Sequence, residues 1–295
     1  MIFKKYIDKF LEFFDEITEK QLLTTTIVLV IVSVLVIGLS FSHYFSPDHH
    51  FYENLLVEAH GMIFDLLIIG LLLVWLNKNG ERRLRIRRYH EEIDDFRHWV
   101  NEEASFRIAG NVKRLNKDGV TNIDLYNCFL KNVNLSQINL SASNMNYINL
   151  EDSNLQNSIL DKVRLNQANL QNTKFQKSSL KAAQLSGANL IAATLIKADL
   201  TEANLIKSNF TGAVMIDAIL KDSLVAGSDF TDANLFKADF RGAKGLTADQ
   251  LSKAKNITLA QFDPEMEEKL MKEAPQLFGD IGGKKPVAKV AQSAT

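Results

Sequence analysis

The side chains that could carry chemistry in this 295-residue chain are few, and their spacing suits little of it. His43, His49, His50 and His60 gather around Asp48, which are metal-ligand types, but the spacing fits no ligand template. Glu58 and Asp65 are seven residues apart, two helical turns, so on a helix they share a face. Two carboxylates on one face of an apolar helix point either to a proton or ion path or to polar contacts that glue helices together, Asp65 bonding Ser33 or its own copy in a neighbouring protomer. Cys128, the single cysteine, excludes an intramolecular disulfide framework and a cysteine-based zinc cluster. There is no phosphate loop, no nucleophile elbow, no metal pair and no histidine after His98, so the chain reads as a non-enzyme without cofactor or metal.

The elements that would hold these residues begin with a membrane hairpin. Residues 22–45 carry no Asp, Glu, Lys or Arg and exceed the ~20 residues needed to cross a hydrocarbon core. Residues 55–76 form a second, less pure span containing Glu58, His60 and Asp65. Arg82, Arg83, Arg85, Arg87 and Arg88 follow it at once, whereas the loop 46–54 has no Lys or Arg. Basic residues next to a span stay inside, so both ends of the hairpin are expected in the cytoplasm and the chain in a bacterial inner (plasma) membrane with two passes. Residues 1–20 place Ile2, Phe3, Tyr6, Phe10, Phe13, Phe14 and Ile17 at helical spacing among charges, an interfacial amphipathic helix.

Residues 77–120 read as a basic juxtamembrane helix, a stalk and an N-terminal cap. Ile86, Tyr89, Ile93, Phe96 and Val100 recur in alternating steps of three and four, which serves either a short coiled coil or a helix packed on the next domain. Glu102 to Gly119 reads as a short amphipathic helix placed where that domain needs a cap.

From residue 121 the chain has a period of five. All 24 positions divisible by five from 125 to 240 are large and apolar, 17 of them Leu. Two residues before each centre, 19 of 24 positions hold Ala, Ser, Thr or Cys, and the residue between is Asn or Asp in 14 of 24. Neither a helix nor a flat strand repeats every fifth residue, so a short extended piece and a corner must alternate, with Leu190, Leu195, Leu200, Leu205 and Phe210 among the inward ladder. Coils stacked this way use their backbone amides vertically, which accounts for the absence of proline between residues 48 and 263. Gly187, Gly212, Gly227 and Gly242 all stand two after a centre, where a corner needs permissive angles.

This pattern resembles the pentapeptide repeat family, as in Ala188-Asn189-Leu190 and Ala203-Asn204-Leu205. The resemblance implies a right-handed quadrilateral β-helix over 121–245, with about six coils, the centre and the preceding small residue pointing inward. Ile123, Val133, Ile138, Ile148 and Val163 replace the small residue, so the first coils are expected to be wider or less regular. The best-known soluble members resemble DNA and bind DNA gyrase. Residues 121–245 carry 12 basic and 11 acidic side chains, which disfavours such mimicry, and the lysine stripe is too short and poor in Arg to suggest nucleic acid as a partner.

Residues 20 apart lie one above another, which sorts the surface into faces. On the face of centres 155 to 235, Ile196, Ile216 and Phe236 form an outward apolar ladder beside Lys177, Lys197 and Lys237. That is a candidate surface for an unidentified protein partner or for dimerisation, unless the C-terminal helices fold back over it. Residues 246–278 read as a helical C-terminal cap, with a Thr247–Gln250 capping box and a helix from Pro264 after Asp263, and 279–295 as a disordered tail. The expected molecule is a membrane-anchored scaffold with its β-helix in the cytosol. The alternative is an oligomeric channel or signalling component working through the hairpin and Asp65.

Overall fold

The computed structural model describes residues 50–275, with seven helical positions between 27 and 38. The expected interfacial helix, most of the first span, the loop with Pro47 and the tail from 279 lie outside the described residues. The chain divides into two compact units, Met1–Arg85 and Ile86–Thr295.

Helix α1 (His50–Phe96) runs unbroken for 47 residues. No break marks residue 76, where the apolar stretch ends: Asn77, Asn79 and Gly80 are weak helix formers, but the run of Glu and Arg that follows them favours the helix and carries it on. Of the described residues, the stretch His60–Phe96 is the one long and apolar enough to cross a membrane by length and composition. Its large apolar side chains face outward, with Met62 65%, Phe64 66% and Trp75 57% exposed. In the second unit, Ile93 is fully buried, and Ile86, Tyr89 and Phe96 pack against the same core, so the three-and-four stripe is satisfied within the chain. Val100 lies past the end of α1 and is 76% exposed.

Helix α2 (Glu102–Lys117) starts at Asn101, whose side chain accepts from the Ala104 N–H at 2.8 Å. It buries Ile108, Val112 and Leu115 and stands where a preceding coil would stand. The Asn116 side-chain amide accepts from the Asn139 N–H at 3.2 Å and donates to the Asn139 carbonyl, as a backbone neighbour would. Ser105 Oγ donates to the Phe129 carbonyl at 3.0 Å and Arg97 to the Tyr126 carbonyl at 2.7 Å.

The column follows as isolated parallel bridges at a constant offset of 20 residues, from Asp124↔Asn144 to Leu224↔Lys244. Four pentapeptides therefore complete a turn. Around Leu190 each of the five amides of a repeat has a partner. Leu190 and Ala192 donate to the carbonyls of Asn209 and Thr211 in the next coil at 2.7 and 2.9 Å, and Thr194 donates back to Thr173 at 3.0 Å. Ala193 closes the corner on Leu190 at 3.0 Å, and Ile191 donates to the side chain of Asn189 at 3.2 Å. The last bond explains the Asn and Asp preference: the short side chain caps the amide two residues on. With all five amides used, proline at any position would forfeit a bond.

Every corner puts its second residue in the left-handed region, with φ from 52° to 74° along the column. Glycine fills only four of the 24 corners, and Asn, Asp, Lys, Gln, Ala, Glu and Tyr fill the others. A non-glycine residue there costs on the order of 1 kcal/mol, a local cost that the intercoil bonds on either side hold down.

The C-terminal end is closed by α3 (Ala248–Ser252) and α4 (Pro264–Glu273). The capping box at Thr247 and Gln250 is formed. Two inserted residues lengthen the offset to 22 in Asn234↔Asn256 and Asp239↔Gln261. Leu251, Phe262 and Leu270 join the core, and the Phe262 ring stacks on Phe240 at 5.7 Å. Asp263 precedes α4 without capping it; its carboxylate accepts from the Gly242 N–H at 3.1 Å and so closes the last corner.

Candidate interaction face of the column

The inward ladder packs as the period of five requires: Leu195, Leu200, Leu205 and Phe210 are fully buried and Leu190 is 1% exposed. Phe210 and Phe230 stack at 5.3 Å in consecutive coils. Cys128 belongs to this interior, and burial pushes its thiol up to about 12, so it stays protonated and inert at neutral pH. Among the described residues no group of three His, Cys, Asp or Glu could hold a metal ion. His50 and His60 lie on α1, and His43, His49 and Asp48 lie outside the described residues.

Because the interior is closed, what the column offers is its surface. The carbonyls of Ile196, Ile216 and Phe236 accept from the amides of Lys177, Lys197 and Asp217, each at 2.9 Å, so the three apolar residues stand in successive coils. All three are half-buried, each covered in part by its neighbours. The Lys237 ammonium lies 5.2 Å from the centre of the Phe236 ring, a cation–π contact.

The structure adds two members that the ladder alone did not suggest. Val214, two residues before Ile216, and Ile219, three after it, are also half-buried and outward in that coil. The apolar surface is therefore a cross centred on Ile216. The signal was present in the repeat: the position before each centre points outward and normally holds Asn or Asp, and here it holds Val or Ile.

Charge on the column is sorted by face. The ladder face carries Lys174, Lys177, Lys197 and Lys237 against Asp217 alone, whereas the preceding face carries Glu151, Asp152, Asp229 and Asp232 against Lys131. Three lysines elsewhere are paired: Lys131 meets Glu151 at 2.7 Å, and Lys181 and Lys221 meet Asp199 and Asp239 at 3.3 Å. Bonds from Arg241, reinforced by Lys221, hold the Asp239 carboxyl below the usual carboxylate range against the effect of its burial. Among the described residues, Lys174, Lys177 and Lys197 have no such carboxylate.

Asp65 lies on α1 with its side chain exposed among apolar residues, and the side chain of Glu58 is outside those described. Arg82, Arg83, Arg85, Arg87 and Arg88 are exposed on the same helix, Arg87 pairing with Glu91 at 2.7 Å.

Residues 121–157, 148–183 and 183–222 match the family described as pentapeptide repeats, in eight copies. Similar solved structures include HetL, a pentapeptide repeat protein involved in heterocyst differentiation regulation from the cyanobacterium Nostoc sp. strain PCC 7120. It is 26% identical over 45% of this chain and 68% of HetL, with a TM-score of 0.37. A pentapeptide repeat protein from the Arabidopsis thaliana thylakoid lumen is 24% identical over 52% of this chain and 92% of its own, with a TM-score of 0.28. Rfr23, a pentapeptide repeat protein from the cyanobacterium Cyanothece 51142, is 20% identical over 53% and 99%, with a TM-score of 0.24. No curated protein matches the chain. With the family matched over residues 121–222 in the same register in which the backbone is wound, these residues are pentapeptide repeats and the column they build is a pentapeptide-repeat right-handed β-helix.

Proposed function

We propose that this chain is a membrane-anchored, non-enzymatic scaffold whose β-helix presents the Ile196, Ile216 and Phe236 face to a protein partner. Pentapeptide repeat proteins are generally non-catalytic structural or interaction modules. The observation that carries the reading is the apolar cross around Ile216, where Ile196, Val214, Ile216, Ile219 and Phe236 gather over successive coils, since such a cluster on a surface marks a contact site. Anchoring rests on the outward-facing apolar side chains of α1 and on the arginines that follow them, which favour two passes of a bacterial plasma membrane with both termini in the cytoplasm. The decisive experiment is affinity purification from membranes of the wild-type chain and of the Ile196→Ser, Ile216→Ser, Phe236→Ser triple variant. A partner recovered with the first and lost with the second supports the reading. An identical set of partners refutes it.

Asp65 favours a second reading, an oligomeric channel or signalling component that works through the hairpin. A carboxylate in the middle of an apolar span costs several kcal/mol unless it is paired or protonated. Asp65→Leu leaves a simple anchor localised and functional, and it abolishes conduction or signalling if the hairpin does the work.

A further inference from the structure

The ladder is lined along its corner side by Lys177, Lys197 and Lys237, which the column itself does not neutralise, and this constrains what can sit there. We propose that the ladder face docks an acidic amphipathic helix of a partner protein, with apolar side chains at i, i+3 and i+7 and carboxylates along one flank. The inference rests on the scaffold reading above and gives the partner its chemistry.

Three observations select this occupant. The first is the backbone. The carbonyls of Ile196, Ile216 and Phe236 are already taken by the amides of Lys177, Lys197 and Asp217, and the amides left over on this face stand one to a coil, so an extended peptide finds no continuous edge to join. Recognition must therefore run through side chains, which suits a helix laid on the surface.

The second is spacing. Successive coils rise about 4.8 Å, so Ile196, Ile216 and Phe236 span about 9.6 Å. A helix advances about 4.5 Å over three residues and about 10.5 Å over seven, so one apolar stripe meets all three positions in register.

The third is charge. Lys177, Lys197 and Lys237 stand at the corners directly after the ladder residues without a carboxylate partner among the described residues, Asp217 being the one acid in that line, whereas Asp199 and Asp239 beyond the corners are already paired with Lys181 and with Arg241 and Lys221. On this face the unmatched charge is therefore net positive, and the line of lysines at the corners runs along one side of the ladder. A second copy of this chain fits less well. Apposed symmetrically, the ladder face would set lysines against lysines. Apposed to the acidic face of the next copy, it would make an open, non-closing contact.

The test uses the full chain in detergent micelles and two fluorescein-labelled helical peptides. Both carry leucines at i, i+3 and i+7; one has glutamates along the flank, and the other has lysines at the same places. The expected result, read by fluorescence anisotropy, is that the glutamate peptide binds at least about tenfold tighter than the lysine peptide and weakens as salt rises. Ile216→Ser with Phe236→Ser should cost the glutamate peptide about tenfold, and Lys177→Glu with Lys197→Glu should reverse the preference between the peptides. The latter pair replaces exposed side chains at corners where acidic residues occur elsewhere in the column, so the fold is retained.

Equal binding of the two peptides, lost from both in the Ile216→Ser, Phe236→Ser variant, overturns the acidic preference and leaves the docking reading intact. Binding of either peptide that ignores the ladder substitutions, or no binding at all, overturns the proposal and counts against the ladder face as a docking surface. If sedimentation shows self-association that Lys177→Glu with Lys197→Glu abolishes, the occupant is a second copy and the proposal fails.

Discussion

Leucine fills both the column and α1, and the two regions treat it in opposite ways. Leu195, Leu200 and Leu205 are fully buried, whereas Leu66 is 58%, Leu72 51% and Leu84 64% exposed. In the column each leucine finds its apolar surroundings in the coils above and below, so the burial that stabilises the domain, about 25 cal/mol per Å², is supplied from within the chain. Helix α1 satisfies its own backbone and leaves its large apolar side chains exposed, which is the pattern the anchor proposed above requires. Identical chemistry is thus closed within the chain in one region and turned outward in the other.

The sharpest way to break that comparison is to truncate one leucine in each. Leu195→Ala removes a packed core side chain and should cost about 2–5 kcal/mol in chemical unfolding of the column. Leu72→Ala should leave the same transition within about 0.5 kcal/mol, because its side chain is half exposed and belongs to the other unit. Equal losses would mean that α1 is held by the protein and not by lipid.

A second comparison lies inside the column and has a smaller expected effect. Val133, Ile138, Ile148 and Val163 all put a β-branched side chain at the small inward position. The corners before Ile148 and Val163 close, with amides 3.3 and 3.2 Å from the carbonyls of Met145 and Leu160. Those before Val133 and Ile138 are bridged by a serine hydroxyl instead. Ser153 Oγ donates to the Leu130 carbonyl at 2.7 Å and accepts from Val133 N–H at 3.0 Å. Ser158 does the same between Leu135 and Ile138, at 3.0 and 3.2 Å. The expected irregularity of the early coils is therefore real but selective: it needs a bulky residue and a serine one coil above it, and Ile148 and Val163 have alanines there, Ala168 and Ala183. Ser153→Ala should let the corner close as it does at Ile148, costing about 1 kcal/mol, with the Val133 amide still protected in hydrogen exchange. Loss of that protection would show that the hydroxyl holds the corner rather than opening it.

The smallest effect concerns pH. The Asp239 carboxyl is held below its ordinary value in the folded state, so the folded chain binds that proton less readily than the unfolded one. Its contribution is fully present above the ordinary carboxylate value near about 4 and is lost as the pH falls through the depressed folded one. Asp239→Asn should flatten the decline of unfolding stability below about pH 4 and change little at pH 7 beyond the lost ion pairs. An unaltered slope would show that the ion pairs with Arg241 and Lys221 do not persist in solution.

Much of the molecule was legible because the repeat has one rule. An inward centre, an inward small residue and an Asn or Asp cap recur every five residues, and four such units return the chain above itself, so residue 195 must lie between 175 and 215 whatever the details. The capping box at Thr247 is local in the same sense and was legible for the same reason. The stripe on α1 was ambiguous, since three-and-four spacing serves a coiled coil and an intramolecular contact equally, and only the position of α2 selected the second. Asp263 holds the N-cap position that its sequence context suits, yet its carboxylate goes to the open corner at Gly242 rather than to the helix amides.

By itself, then, the sequence determined the column, its register, its inward ladder and the apolar stretch that leads to it, since each depends on a residue and its fixed offset. The tertiary structure decided which corners a serine opens, which lysines are neutralised, and that Val214 and Ile219 widen the ladder into a cross. Those outcomes depend on side chains from different coils meeting within a few ångströms, and no period in the chain specifies that distance.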